Sequence, residues 1–128
     1  MLAHDLALGN TTLTITPWAG FVIEAILAFF LCTVVLSTAI AGRDRNFAPL
    51  AIGMTLTLNI IMGGPLTGAP FNLARALRPM VVTGNFNDAW LYLIAPIVGA
   101  VIAAILHAVP DRLMQGRIAA TASRMPAE

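Results

Sequence analysis

Lysine is absent from the 128 residues, so all seven basic side chains are arginine. Six acids bring the formal net charge to +1, and only 10% of residues are charged. This excludes the basic face that nucleic acid needs, and no nucleic-acid partner is expected. A single cysteine, Cys32, excludes a disulfide framework and leaves the redox compartment unread. No His/Cys/carboxylate group has metal-ligand spacing, no nucleophile stands beside a base, and no phosphate loop follows a strand pattern. Neither an enzyme nor a metal or cofactor is therefore expected. The opening MLAHDLALGNTTLTITP lacks a basic segment followed by an apolar one, so no cleavable signal peptide is read there.

What the chain has in abundance is apolar surface. Hydrophobic residues make up 59% of it and the mean hydropathy is +0.86, the composition of an integral membrane protein. A bilayer crossing takes about twenty residues at about 1.5 Å rise each. Residues 18–41 meet that length with one charge, Glu24. A second span is read at 47–64, at the short end of the range, and a third at 89–109, where His107 is the one titratable side chain near the end. Trp18, Trp90 and Tyr92 are expected at membrane interfaces, and Pro96 is a candidate kink. Gly99, Ala100, Ala103 and Ala104 read as a close helix-packing face. Cys32 and the methionines read as packing residues, and His107 as interfacial. Residues 1–17 read as an exposed arm and 110–128 as a polar tail. Arg43 and Arg45 in the first turn, with Arg112, Arg117 and Arg124 in the tail, place both cytoplasmic and the N-terminus outside. The expected location is the cell membrane, with lipid as a partner.

Between the second and third spans lies Gly63 to Pro79, GGPLTGAPFNLARALRP, with three prolines, three glycines and two arginines. It cannot itself span a bilayer, and residues 65–79 are read as a re-entrant loop carrying a half-helix of about two turns from Asn72. Asn72 is a favoured N-cap, and the helix it opens presents N–H groups and a positive dipole end at membrane depth. Irregular backbone is tolerated there only inside protein or along a watery cavity. The carbonyls of Gly68, Ala69, Pro70 and Phe71 then form a ladder of acceptors, Asn72 supplies an amide donor, and Arg75 a fixed cation that repels cations and protons. The bland readings are a plain N-cap for Asn72 and an interfacial, snorkelling charge for Arg75. Glu24 is costly to insert, which favours a role in a polar network or in function.

From about Trp18 to His107 the sequence resembles the C-terminal half of an aquaporin, a major intrinsic protein. The resemblance is carried by Glu24, by the segment APLAIG that opens the second span, and above all by GPLTGAPFNLAR. In the family that loop carries Asn-Pro-Ala-Arg; Asn72, Ala74 and Arg75 match, and Leu73 replaces the proline. The implied fold class is an all-α membrane protein with three transmembrane helices and a re-entrant half-helix, half of an inverted repeat.

The resemblance further implies that Asn72 donates to a single-file solute at mid-membrane, that Arg75 belongs to the outer selectivity region, and that Glu24 braces loop N–H groups around residues 67–71. Ile60 falls where water-selective members often carry His. Ala76 departs from the Asp of glycerol-type members, Tyr92 is water-channel-like, Leu93 is glycerol-channel-like, and Arg78 replaces a usual Gly without explanation. Passive passage of water or small neutral solutes is implied, with a complementary half, or other copies in an oligomer, needed for a complete pore. The alternative is a non-conducting truncated remnant or membrane interaction subunit, and a small transporter subunit is a weaker third.

Overall fold

A computed structural model describes residues 13–40, 46–84 and 86–122. The turn with Arg43 and Arg45, the first twelve residues of the arm and Arg124 lie outside the described residues. Helix α1, Pro17–Val35, starts with proline in its first turn, where the missing N–H costs nothing. It runs into a wider π-helical turn, Leu36–Ile40, and together these form an apolar span of 24 residues. Helix α2, Ala48–Thr67, is the second span, and Ala89–Val109 of helix α4, Ala89–Ala122, is the third. Between them sits α3, Leu73–Thr83, an 11-residue helix too short to cross.

The span boundaries differ from the sequence reading in informative ways. Helix α2 does not stop at residue 64 but continues through Pro65 to Thr67. Proline so close to a helix end removes one intrahelical bond, that to the Ile61 carbonyl, and few turns remain to be disturbed. Gly68, at φ 79°, then closes the helix in the left-handed conformation, its N–H donating to the Gly64 carbonyl at 3.0 Å. Pro79, expected to end the half-helix, lies inside α3. The carbonyl it leaves without an intrahelical donor belongs to Arg75, on the exposed side of α3. Backbone helix also extends into the tail as far as Ala122.

Helix α1 is central, packed most extensively on α4 and next on α2, while α3 packs on α4. Trp18 and Trp90, each near its helix start, lie 6.1 Å apart edge to face, and Ser37 Oγ meets His107 Nε2 at 3.2 Å near the opposite ends. Thus α1 and α4 run parallel. Their seam is built from small residues: Ala28, Ala95, Gly99 and Ala103 are buried, whereas Ala104 is exposed. A Cβ on Gly99 would stand 2.0 Å from the Ala25 carbonyl oxygen, so only glycine allows this crossing. Most other large apolar side chains on α1, α2 and α4 face outward, as a lipid solvent permits.

Candidate functional site

The site begins where α2 ends. Both carboxyl oxygens of Glu24 accept hydrogen bonds from it: Oε1 from the Thr67 hydroxyl at 2.5 Å, Oε2 from the Phe71 N–H at 2.8 Å. Thr67 Oγ1 in turn accepts from the Ala69 N–H at 3.1 Å. Glu24 and Thr67 are fully buried. This network holds a backbone that would not hold itself, since Ala69 at φ 41° and Phe71 at φ 26° occupy a region costly for residues with a Cβ. Ala69 and Phe71 pack with Leu27, and Ile23 and Leu31 border the cluster.

Those contacts set the loop's depth. Leu27 lies about 15 Å along α1 from Pro17 at about 1.5 Å per residue, half of a hydrocarbon core of roughly 30 Å. The eleven residues of α3 cover about 16 Å, the distance back to the side where α4 starts. The half-helix therefore has its N-terminus near mid-span. There Asn72, in extended conformation at φ −149° and ψ 122°, caps α3 through Oδ1, which accepts from the Ala74 N–H at 2.9 Å. With its oxygen tied to the helix, Asn72 keeps its amide NH₂ for another partner. Arg75 is exposed, and its guanidinium carbon lies 5.7 Å from the centroid of the Phe71 ring.

The hydrogen bonds that fix the loop end on its N–H groups and on the carbonyls of α2. Among the described residues none ends on the carbonyls of residues 68–71. Helix α3 buries Ala76, Pro79 and Met80 and exposes Ala74, Arg75, Leu77 and Arg78. Ile60 of α2 is exposed, at 39%. Helices α2 and α3 do not pack on one another, so the loop joins two elements across an open face.

Four polar residues in this arrangement were not assigned to it by sequence reasoning. Thr67 is the hub just described, and Asn59, 3% exposed, donates from Nδ2 to the Leu27 carbonyl at 2.9 Å. Tyr92, in the first turn of the third span, is 1% exposed and donates its hydroxyl to the Thr67 carbonyl at 2.9 Å. A buried tyrosine hydroxyl needs such a partner. Thr14, within the arm, bonds the end of α2. In sequence each is an uncharged residue inside or beside an apolar run, and nothing there tells which carbonyl or carboxylate its side chain will meet.

Three spanning helices and a re-entrant half-helix, with its strained loop braced from the first span, define an all-α membrane protein of half-aquaporin architecture. The family model for major intrinsic protein matches residues 2–107, and the chain belongs to that family. It is 47% identical over 93 residues to nodulin-26 of Glycine max, covering 72% of this chain and 34% of that protein. It is 42% identical over 91 residues to the probable aquaporin TIP3-2 of Arabidopsis thaliana, covering 69% and 34%. Aquaporin NIP2-1 of Arabidopsis thaliana is 38% identical over 105 residues, covering 81% and 36%. The chain thus spans about a third of the length of these relatives.

Proposed function

We propose that this chain forms half the wall of a channel for passive passage of water or small neutral solutes. The observation that carries the reading is the conjunction at mid-span of acceptors and donors left over by the fold. Carbonyls of residues 68–71 have no donor among the described residues, and the Asn72 NH₂ stands at a half-helix N-terminus with Arg75 within one turn. Such a set exchanges hydrogen bonds with a neutral solute, while the cation and the dipole repel positive charge. In this reading Ile60 makes the constriction less polar than a histidine would, and Glu24 holds the loop in register. A complementary aquaporin half, or another copy, covers the open face between α2 and α3, and the molecule sits in the cell membrane with the re-entrant side outward. No catalytic step or cofactor enters.

The test is osmotic. The protein is reconstituted in vesicles alone and together with a complementary three-span half, and shrinkage is followed after an osmotic jump. Accelerated shrinkage with both halves is the expected result. Shrinkage unchanged by either preparation would leave the alternative, a non-conducting membrane subunit, as the better reading.

A further inference from the structure

The last four carbonyls of a helix have no intrahelical donors, and those of α2 all find partners. The Gly64 carbonyl accepts from the Gly68 N–H at 3.0 Å. The Thr67 carbonyl accepts from the Tyr92 hydroxyl at 2.9 Å. The two between them are served from outside the membrane-spanning helices. Thr14 donates its backbone N–H to the Leu66 carbonyl at 3.1 Å. Its hydroxyl proton is shared between the Pro65 and Leu66 carbonyls, at 2.9 and 3.1 Å. These are the carbonyls around Pro65 and immediately before the turn at Gly68, where the chain leaves the helix for the strained loop.

We infer that Thr14 is a positioning residue for the re-entrant loop: the segment before α1 is a strap that fastens the end of α2 and so fixes where residues 68–72 begin. Leu13 anchors the strap, packing with Phe21 and Ala89 against the buried cluster of Ala76, Met80, Leu91 and Tyr92, so one short segment joins α1, the end of α2 and the cluster that α3 and α4 build. Thr14 itself is exposed, and it acts on the loop through α2 rather than by touching a solute. Tyr92 fastens the same helix end from α4, and the two residues hold successive carbonyls from opposite directions in the chain. Loss of the Thr14 hydroxyl leaves the Pro65 carbonyl without that donor and lets the last turn of α2 fray, which moves Thr67 and with it the N–H groups of Ala69 and Phe71.

The importance of this strap for solute selection rests on the channel reading, but its existence does not. The deciding measurement is therefore residue-level hydrogen exchange of the full chain in lipid, comparing wild type, Thr14→Val and Thr14→Ser. Val removes the hydroxyl at nearly constant shape, and Ser restores it. The expected result is about fivefold faster exchange of the Ala69 and Phe71 amides in Thr14→Val, with exchange along α1 and α4 unchanged and wild-type protection regained in Thr14→Ser. Unchanged loop exchange in Thr14→Val would overturn the strap. So would uniform acceleration along all helices, or a serine variant as unprotected as the valine one. Failure of the wild type to conduct in vesicles, both alone and with a complementary half, would overturn the channel reading instead and leave these exchange outcomes as they are.

Discussion

The carboxylate of Glu24 and the backbone N–H of Phe71 meet at 2.8 Å across 47 residues of sequence, joining the first span to the loop just before the half-helix starts. The bond satisfies a buried donor on a residue at φ 26°, and its partner on the other carboxyl oxygen, Thr67, sets the helix end before the loop. Glu24→Ala leaves both donors without this acceptor and is expected to destabilise the fold by about 2–6 kcal/mol, at about 1–3 kcal/mol for each unsatisfied donor. Glu24→Gln keeps one acceptor and should cost about half as much. Unfolding in mixed detergent micelles measures both; an alanine variant as stable as wild type would show that the loop holds itself.

Gly99 carries the α1–α4 seam. A methyl group there would meet backbone atoms, 2.0 Å from the Ala25 oxygen and 2.9 Å from the Phe29 nitrogen, and neither can rotate away. Gly99→Ala should therefore force the helices apart and cost about 1–3 kcal/mol or more. At Gly53 a Cβ meets nothing within 4 Å, so Gly53→Ala should be neutral or stabilising by up to about 1 kcal/mol through helix propensity. Equal effects of the two substitutions on denaturation midpoints, followed by tryptophan fluorescence, would contradict the packing account.

Leu73 opens α3 where the family carries proline, and the backbone around it is already suited to that residue. Proline fits the first helical position, and it requires the preceding residue to be extended. Asn72, at φ −149° and ψ 122°, is. Leu73→Pro should accordingly be accepted and stabilise by about 0.4–1 kcal/mol by restricting the unfolded chain. A lowered thermal midpoint would show that the half-helix depends on the leucine.

The three spans, the re-entrant half-helix and its Asn72 cap were legible in the sequence because each leaves a mark in hydropathy or punctuation. Charge made Glu24 conspicuous, since a carboxylate within a span is costly and needs donors. Thr67, Asn59 and Tyr92 left no such mark: a hydroxyl or amide within an apolar run scarcely alters hydropathy, and its role depends on which carbonyl the fold brings alongside. Proline at 65 and 79 misled for a related reason. Its local effect is to remove one hydrogen bond, and whether the helix ends there depends on what else holds the next turn, which at Pro65 includes Thr14, 51 residues away.

The orientation proposed above rests on the arginine distribution, with parallel α1 and α4 putting both helix starts on one side. If the re-entrant side is outward, Phe86, exposed just before α4, faces outside, and Ser123, beyond the described residues, faces the cytoplasm. In intact cells Phe86→Cys should react with an impermeant thiol reagent and Ser123→Cys should not, with Cys32→Ala as the background. The reverse pattern would invert the molecule.

Arg75 stands one turn into the half-helix with its guanidinium over the Phe71 ring, so the loop fixes the position of its charge as well as its own path. A held cation at a narrow mouth both takes up space and raises the energy of any passing cation, and a neutral solute feels only the first effect. Arg75→Val removes both and should raise glycerol passage relative to water and admit proton leak, read from vesicle swelling and an entrapped pH dye. Phe71→Ala takes away the ring beneath the guanidinium, together with its packing on Leu27, and leaves the charge, so it should widen the glycerol-to-water ratio while proton leak stays low. Were Arg75→Val to leave both readings at wild-type values in a conducting preparation, the arginine would be an interfacial charge and the constriction would have to be sought elsewhere on the loop.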